Sequence, residues 1–305
     1  MTAPILPRRR CLACASEEPL PASEPVWPLG WRCRACGHLV AEQDGIPTFA
    51  PELADTISGM DPKNFEMLSK VEAEHFWFVA RNELIIGLMD KFFPGARRFL
   101  EIGCGNGAVL RAVARSRNWE RLVGSELHPT GLAFAKRRLP AQVELVQMDA
   151  RNIPAESAFD LTGAFDVVEH IADDEAVLRG LRRATQSGGG AIITVPQHPL
   201  LWSRADDIAY HQRRYRRGEL EAKLRRSGFE IVFSTSYTAL LLPVMVVCRL
   251  SAKHKPGNEE VVREFNLNPW VNSIFTAILR AEVRATLSGL TWPAGGSRVV
   301  VARAA

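Results

Sequence analysis

The stretch Phe99-Leu-Glu-Ile-Gly-Cys-Gly-Asn-Gly-Ala-Val-Leu110 limits what this chain can become more than any other. Its apolar start reads as a buried strand, the glycines at 103, 105 and 107 as a tight turn, and Val109, Leu110, Val113 and Ala114 as one face of a helix. Backbone with positive φ is cheap only without a Cβ, and a ligand can approach bare backbone closely. The first amides of the following helix lack intrahelical partners and carry partial positive charge, so the turn suits a negative or strongly polar ligand. A dinucleotide fingerprint requires G-x-G-x-x-G and fails here at the third glycine. A turn without a ligand stays open on this segment alone.

A chain of 305 residues can bury one full α/β core and still carry a small extra module. With 24% charged and 47% hydrophobic residues it falls among globular proteins rather than disordered or multi-span ones. A formal charge of +4 is too small to argue for nucleic acid by itself. Arg8-Arg-Arg10 is not followed by an apolar segment of signal-peptide type, so the expectation is a cytoplasmic protein with reduced cysteines.

Cys11-x2-Cys14 and Cys33-x2-Cys36 stand with eighteen residues between them. Each pair brings two thiolates to one point, and the four complete a tetrahedral sulfur site of the kind structural zinc prefers, with no position left for water. A module of about forty residues is too small for a core of its own, so the metal would hold it folded. The segment resembles a zinc ribbon, with Gly45-Ile-Pro-Thr-Phe-Ala-Pro51 leading from it into a linker.

Beyond the glycine turn the chain alternates strands and helices, the pattern of a doubly wound sheet. Leu122-Val-Gly-Ser-Glu126 is a second strand ending in a carboxylate nineteen residues past Gly107, where an acid can accept both ribose hydroxyls. Val143-Glu-Leu-Val-Gln-Met-Asp149 is a third strand ending in an acid, with a turn cap as the alternative role for Asp149. Glu101 ahead of G-x-G-x-G, followed by acids at the next two strand ends, resembles the class I S-adenosylmethionine-dependent methyltransferases.

That resemblance implies a seven-stranded Rossmann-like α/β sheet with helices on both faces. It also implies a cofactor site built from Glu101, Gly103, Cys104, Gly105, Asn106, Gly107, Glu126, Leu127, Asp149, Ala150, Phe165 and Asp166, with Asp149 reading the adenine amino group. His75-Phe-Trp-Phe-x-x-Arg81-Asn82 resembles a segment preceding the core in bacterial members, and Arg81 is a candidate partner for the methionyl carboxylate. Phe76, Trp77 and Phe78 serve equally well as the packing face of a helix.

The fourth strand is read across Leu161 to Ile171, and its end points into the crevice where ligands of such sheets sit. The resemblance places Glu169 and His170 by the acceptor. His170 is one candidate base, since imidazole titrates near neutrality, and His211 is its rival. Glu169, His170 and His211 together also suit a divalent metal. After the strand Ala191–Pro196, the long loop at 196–217 is the candidate acceptor-recognition segment, with Trp202, Tyr210, Arg214 and Tyr215 as its contacts. A similar loop occurs in bacterial methyltransferases associated with glycan and lipid-linked sugar pathways.

About sixty residues separate the sixth strand from the last, Ser297–Ala302. Within them Ala239–Cys248 is an apolar run flanked by Arg249, Lys253 and Lys255, too short to span a bilayer. It fits a helix in the membrane interface through 238–255, or a plain core or dimer helix. The expected layout is a ribbon at 1–50, linker and helices over the pocket at 51–95, a core at 96–237 and 297–305, and a helical insertion at 238–296.

The activity expected from the resemblance is methyl transfer to oxygen or nitrogen of a small-molecule, glycan or lipid-linked acceptor, with S-adenosylmethionine and a structural zinc. Ribosomal or transfer RNA is the alternative acceptor, which Glu17, Glu18 and Glu24 on the ribbon disfavour. A non-catalytic cofactor-binding module acting through its ribbon is the alternative from another class. No feature specifies an oligomer.

Overall fold

The computed structural model describes residues 6–54, 56, 64–252 and 267–305. The strands are β1 (Arg8–Arg10), β2 (Glu17–Pro19), β3 (Ala41–Gln43), β4 (Ile46–Thr48), β5 (Arg98–Ile102), β6 (Arg121–Glu126), β7 (Glu144–Gln147), β8 (Ala155–Glu156), β9 (Phe159–Phe165), β10 (Thr185–Pro196), β11 (Phe229–Tyr237) and β12 (Ser297–Ala304). The α-helices are α1 (Asn64–Val71), α2 (Phe76–Phe92), α3 (Ala108–Ser116), α4 (Pro129–Arg138), α5 (Asp174–Ala184), α6 (Arg204–Ile208), α7 (Glu219–Arg226), α8 (Leu242–Ala252) and α9 (Pro269–Leu287).

Among the described residues, nine strands form the main sheet in the order β11-β12-β10-β9-β5-β6-β7-β4-β3. From β10 through β4 neighbouring strands are parallel; β12 and β3 run antiparallel to their partners. The seven strands from β11 to β7 are those expected from the sequence. The other two correct it, because Ile46–Thr48 is not the start of a linker. It extends the main sheet through Thr48 opposite Gln147, and β3 folds back on it.

Strand order reverses between β5 and β9, so the crevice beyond their carboxyl ends is where a ligand has room. The central strands β5, β6, β9, β10 and β12 are buried on both faces along most of their length, so they read as apolar runs. Leu100, Ala164 and Ile193 face the layer built with α5 and α7, while Phe99, Phe165 and Ile192 face the layer built with α2, α3 and α9. The ribbon joins the first layer, with Val26, Trp27, Trp31 and Val40 buried in the same apolar cluster as the core strands. Its strand β1 pairs with β8, and Trp27 Nε1 donates to the Pro154 carbonyl at 3.0 Å.

The insertion supplies α8 and α9. Helix α9 packs along α2, where Phe76 N donates to Asn272 Oδ1 at 2.8 Å. Lys253 and Lys255 lie outside the described residues. Among the described residues no helix is long and apolar enough to cross a membrane.

Candidate active site

The sulfurs of Cys11, Cys14, Cys33 and Cys36 lie within 4.8 Å of one another. Cys11 to Cys36 and Cys14 to Cys33 are each 3.8 Å apart. Tetrahedral zinc, with Zn–S near 2.3 Å, separates its sulfurs by about 3.8 Å, so donor set and spacing fit that ion. Two turns build the site: Ala15 N donates to Cys11 O and Gly37 N to Cys33 O, each at 2.9 Å.

The glycine turn follows β5. Gly103 and Gly105 adopt φ of 66° and 52°, and a Cβ on Gly103 would fall 2.6 Å from Val167 Cγ2. Beside the turn opens a pocket of about 470 Å³, lined by Gly103, Gly105, Glu126, Leu127, Asp149 and Ala150 and closed by Leu53, Thr56 and Phe65. Glu126 is held in place by amides: Gly105 N donates to Oε2 at 3.0 Å, and Leu127 N and His128 N to Oε1 at 2.8 and 3.1 Å. Asp149 lines the pocket and also caps its own turn, accepting Arg151 N at 2.9 Å and pairing with the Arg151 guanidinium. Both roles considered from the sequence are thus compatible with its position.

A second cavity, of about 480 Å³, meets the first along Phe65, Gly103, Gly105, Asp166 and His170. At its polar end Arg81 Nη1 donates to Asp166 Oδ2 at 2.8 Å, with the guanidinium 4.5 Å from the centre of the Trp77 ring. Asp166 holds φ of 58°, uncommon for a residue with a Cβ, at the turn where β9 ends. Strand β9 stops at Phe165 and a short 3₁₀ turn carries Glu169 and His170, where the sequence reading had continued the strand. Cys104 and Asn106 line this cavity with Glu101, and the Asn106 amide donates to Glu72 Oε2 at 3.0 Å. Gly107, with φ of 77°, sits behind the turn as the N-cap of α3.

Burial pushes the Glu101 carboxyl up to about 8 despite the Arg81 charge, and its Oε2 has no protein partner. Glu169 is fully buried with both oxygens unpaired, and burial, reinforced by Asp166, holds it well above the carboxylate range. Burial and the neighbouring His211 push His170 down to about 3, so its ring is neutral at physiological pH.

His211 is placed differently. Ser203 and Asp206 form a capping box at the start of α6, with Asp206 Oδ2 accepting Ser203 N at 2.8 Å. That leaves Oδ1 to accept from His211 Nδ1 at 2.8 Å and from Arg214 Nε at 2.7 Å. Although burial opposes it, these bonds hold Asp206 well below the usual carboxylate range. The other imidazole nitrogen, Nε2, lies 3.9 Å from Glu169 Oε1, and the His170 and His211 rings meet edge to face at 4.7 Å. Donor atoms of Glu169, His170 and His211 lie within 4.8 Å of one another, a set that can hold a divalent cation.

Of the four acceptor contacts expected in the loop, only Arg214 lines this cavity. Tyr215 is fully buried away from it, and its hydroxyl donates to Asp174 Oδ2 at 2.5 Å, because the chain pairs with Pro196 there and turns the ring into the core. Trp202 is turned to Asp207, its Nε1 donating to Oδ1 at 2.9 Å, and Tyr210 is exposed in a left-handed turn with φ of 55°. The sequence reading placed Asp206 in the candidate acceptor loop without a role of its own, and missed Phe65 and Leu53 as site residues. Ser-x-x-Asp at 203–206 was a legible capping box, but a box does not reveal where its second oxygen points.

Residues 100–193 match a family of methyltransferase domains. A probable S-adenosylmethionine-dependent methyltransferase of Mycobacterium tuberculosis is 26% identical over 168 residues, which is 52% of this chain and 57% of the relative. A ubiquinone biosynthesis O-methyltransferase of Cereibacter sphaeroides is 34% identical over 98 residues, 30% of this chain and 38% of the relative. The chain thus spans less than two thirds of the length of these curated relatives. Among solved structures, phosphoethanolamine N-methyltransferase 2 of Haemonchus contortus, in complex with S-adenosyl-L-methionine, superposes with a TM-score of 0.55 at 18% identity, over 83% of this chain and 59% of that one. Residues 100–193 thus match a methyltransferase domain, and the glycine turn, the acids at three strand ends and the strand order resemble those of the class I S-adenosylmethionine-dependent type.

Proposed function

We propose that the chain transfers a methyl group from S-adenosylmethionine to an oxygen or nitrogen nucleophile of a small-molecule, glycan or lipid-linked acceptor. The observation that carries this reading is the junction of two cavities at Gly103, Gly105 and Asp166, one lined by the carboxylates of Glu126 and Asp149 and the other largely apolar with His170 and His211 in its lining.

Glu126 and Asp149 line the side suited to ribose and adenine, and the unpaired buried carboxyl of Glu101 suits a ligand ammonium. Arg81 beside Asp166 is the candidate partner for the ligand carboxylate. Bound there, the cofactor supplies a methyl group activated by a sulfonium. Alignment of the two reactants supplies most of the acceleration, and the protein contributes a dry, shaped cavity and a proton acceptor. The Asp206 carboxylate faces Nδ1 as a hydrogen-bond acceptor, so Nε2 is the nitrogen turned toward Glu169 and the cavity, placed to take the acceptor's hydroxyl or amine proton. His170, held neutral, is a hydrogen-bonding group rather than a base.

The apolar wall of the second cavity includes Phe76, Val244, Met245 and Phe275, and the same two helices α8 and α9 carry the exposed Val247 and Trp270. This supports an acceptor with an apolar portion and a peripheral contact of α8 with a lipid surface. A second reading places a divalent cation on Glu169, His170 and His211, favoured by their mutual distances and by the unpaired Glu169 oxygens. Titration with magnesium or zinc separates the two: transfer that survives complete chelation while Cys11–Cys36 stay loaded supports His211 as base, and transfer that requires the added ion supports the cation.

A further inference from the structure

The wall of the nucleoside pocket opposite Glu126 and Asp149 is built by the chain that leaves the zinc ribbon. Val40 N donates to the Trp31 carbonyl at 3.0 Å, tying the second cysteine turn to the root of the β3–β4 hairpin. Phe49, just past β4, packs its ring 5.8 Å from Trp27 and 6.3 Å from Trp31. Between β4 and β7 only Thr48 and Gln147 are paired in register, so a strand ladder contributes little to seating the hairpin. Gln147 seats it instead. This buried side chain accepts Ala50 N on Oε1 at 3.0 Å, and from Nε2 it donates to the Ala50 carbonyl at 2.7 Å and to the Leu127 carbonyl at 3.0 Å.

One amide thus bridges the ribbon's exit strand and the residue after Glu126. Leu53 and Thr56, which close the pocket, follow directly from Ala50. His128 Nδ1 lies 3.3 Å from the Ala54 carbonyl and adds a second tie across the same gap.

We propose that the zinc ribbon is a component of the cofactor site, so that metal occupancy at Cys11, Cys14, Cys33 and Cys36 and cofactor affinity are coupled through the Gln147 clamp and the Trp27–Phe49–Trp31 cluster. The proposal rests on the zinc and cofactor assignments above. The ribbon has no core apart from the cluster it shares with the main sheet, and the second cysteine turn fixes Trp31 and the hairpin root against that cluster, so losing the ion loosens the wall that Leu53 and Thr56 form. Coupling of two equilibria is reciprocal, so a bound nucleoside must equally tighten the metal.

The test uses the full chain, S-adenosylhomocysteine as ligand, and a chromogenic chelator that reports zinc release. Saturating ligand is expected to slow zinc release about tenfold, and the stripped, still folded chain to bind the ligand about tenfold more weakly, within the range usual for coupled sites. Gln147→Ala, or Gln147→Asn where alanine prevents folding, is expected to keep its zinc, to bind the ligand about as weakly as the stripped chain, and to lose the mutual effect of the two. Protection that persists in the Gln147 variant means general stabilisation of the fold and overturns the clamp. Equal ligand affinity with and without metal overturns the coupling alone. A chain purified without zinc overturns the metal assignment, and a zinc-loaded chain that binds no ligand overturns the cofactor reading.

Discussion

The carboxylate of Asp206 accepts from His211 Nδ1 at 2.8 Å, and that bond decides which nitrogen of the ring is turned toward Glu169 and the cavity. Arg214 shares the same oxygen at 2.7 Å, and Ser203 occupies the other, so the carboxylate has little freedom to rotate.

His211→Ala is expected to lower kcat by about 10²–10⁴-fold, the range of a lost general base, without changing affinity for S-adenosylhomocysteine. Asp206→Asn presents an amide to Nδ1 and favours the wrong tautomer, so kcat falls while the ring stays in place. Rate measurements on an accepted substrate, paired with calorimetric titration of the cofactor product, check both. A His211→Ala enzyme with normal kcat contradicts the assignment.

Cofactor binding is expected to release a proton from Glu101. Its carboxyl, pushed up to about 8 by burial, is protonated in the free protein at neutral pH. A ligand ammonium favours the ionised form, so affinity should rise with pH up to about 8 and then level off. In stability the sign is opposite: the raised pKa makes the free fold bind more protons than the unfolded chain, so this group's contribution falls as pH rises from the ordinary carboxylate range toward 8. Titrations at pH 7 in buffers of different ionisation enthalpy should count close to one proton released, and none for Glu101→Gln.

Tyr215→Phe should act on stability and not on the acceptor. The hydroxyl donates to Asp174, which also pairs with Lys223 and Arg213, so a cost of about 1–2 kcal/mol is expected in chemical denaturation. KM for the acceptor should be unchanged. A raised KM with unaltered stability would return Tyr215 to the acceptor site.

Trp270 is 79% exposed on α9 one turn before the half-exposed Ile274, and Val247 is 63% exposed on α8. Side chains of this size each contribute about 1.5–3 kcal/mol when fully buried. If the lipid contact holds, Trp270→Ser with Val247→Ser should reduce sedimentation with phospholipid vesicles at least tenfold and leave cofactor affinity intact. Wild-type protein that stays in the supernatant sinks the contact.

What the sequence revealed follows from how local each feature is. Glu101 through Gly107 and Cys11 through Cys36 announce themselves because spacing along the chain fixes geometry in space: a strand-turn-helix, and two Cys-x2-Cys turns that each bring two sulfurs to one point. The central strands were legible because burial on both faces makes apolar runs. The two added strands were not, since Ile46–Thr48 is short, contains a proline and joins the sheet at a single register pair. The acceptor loop was the hardest to read. Arg214 and Tyr215 are adjacent, yet one faces the cavity and the other enters the core, a choice made by pairing with Pro196 and by Asp174, neither close in sequence. The pairing of Asp206 with His211 escaped for the same reason, because it is chosen by the fold of the loop.

The most direct test of methyl transfer is incubation of the purified chain with methyl-labelled S-adenosylmethionine and separated lipid, glycan, small-metabolite, RNA and protein fractions of a bacterial extract. The account predicts label in the lipid, glycan or small-metabolite fraction, lost in His211→Ala. Label confined to RNA or protein would contradict the acceptor class, and no label in any fraction, with cofactor binding intact, would contradict catalysis itself.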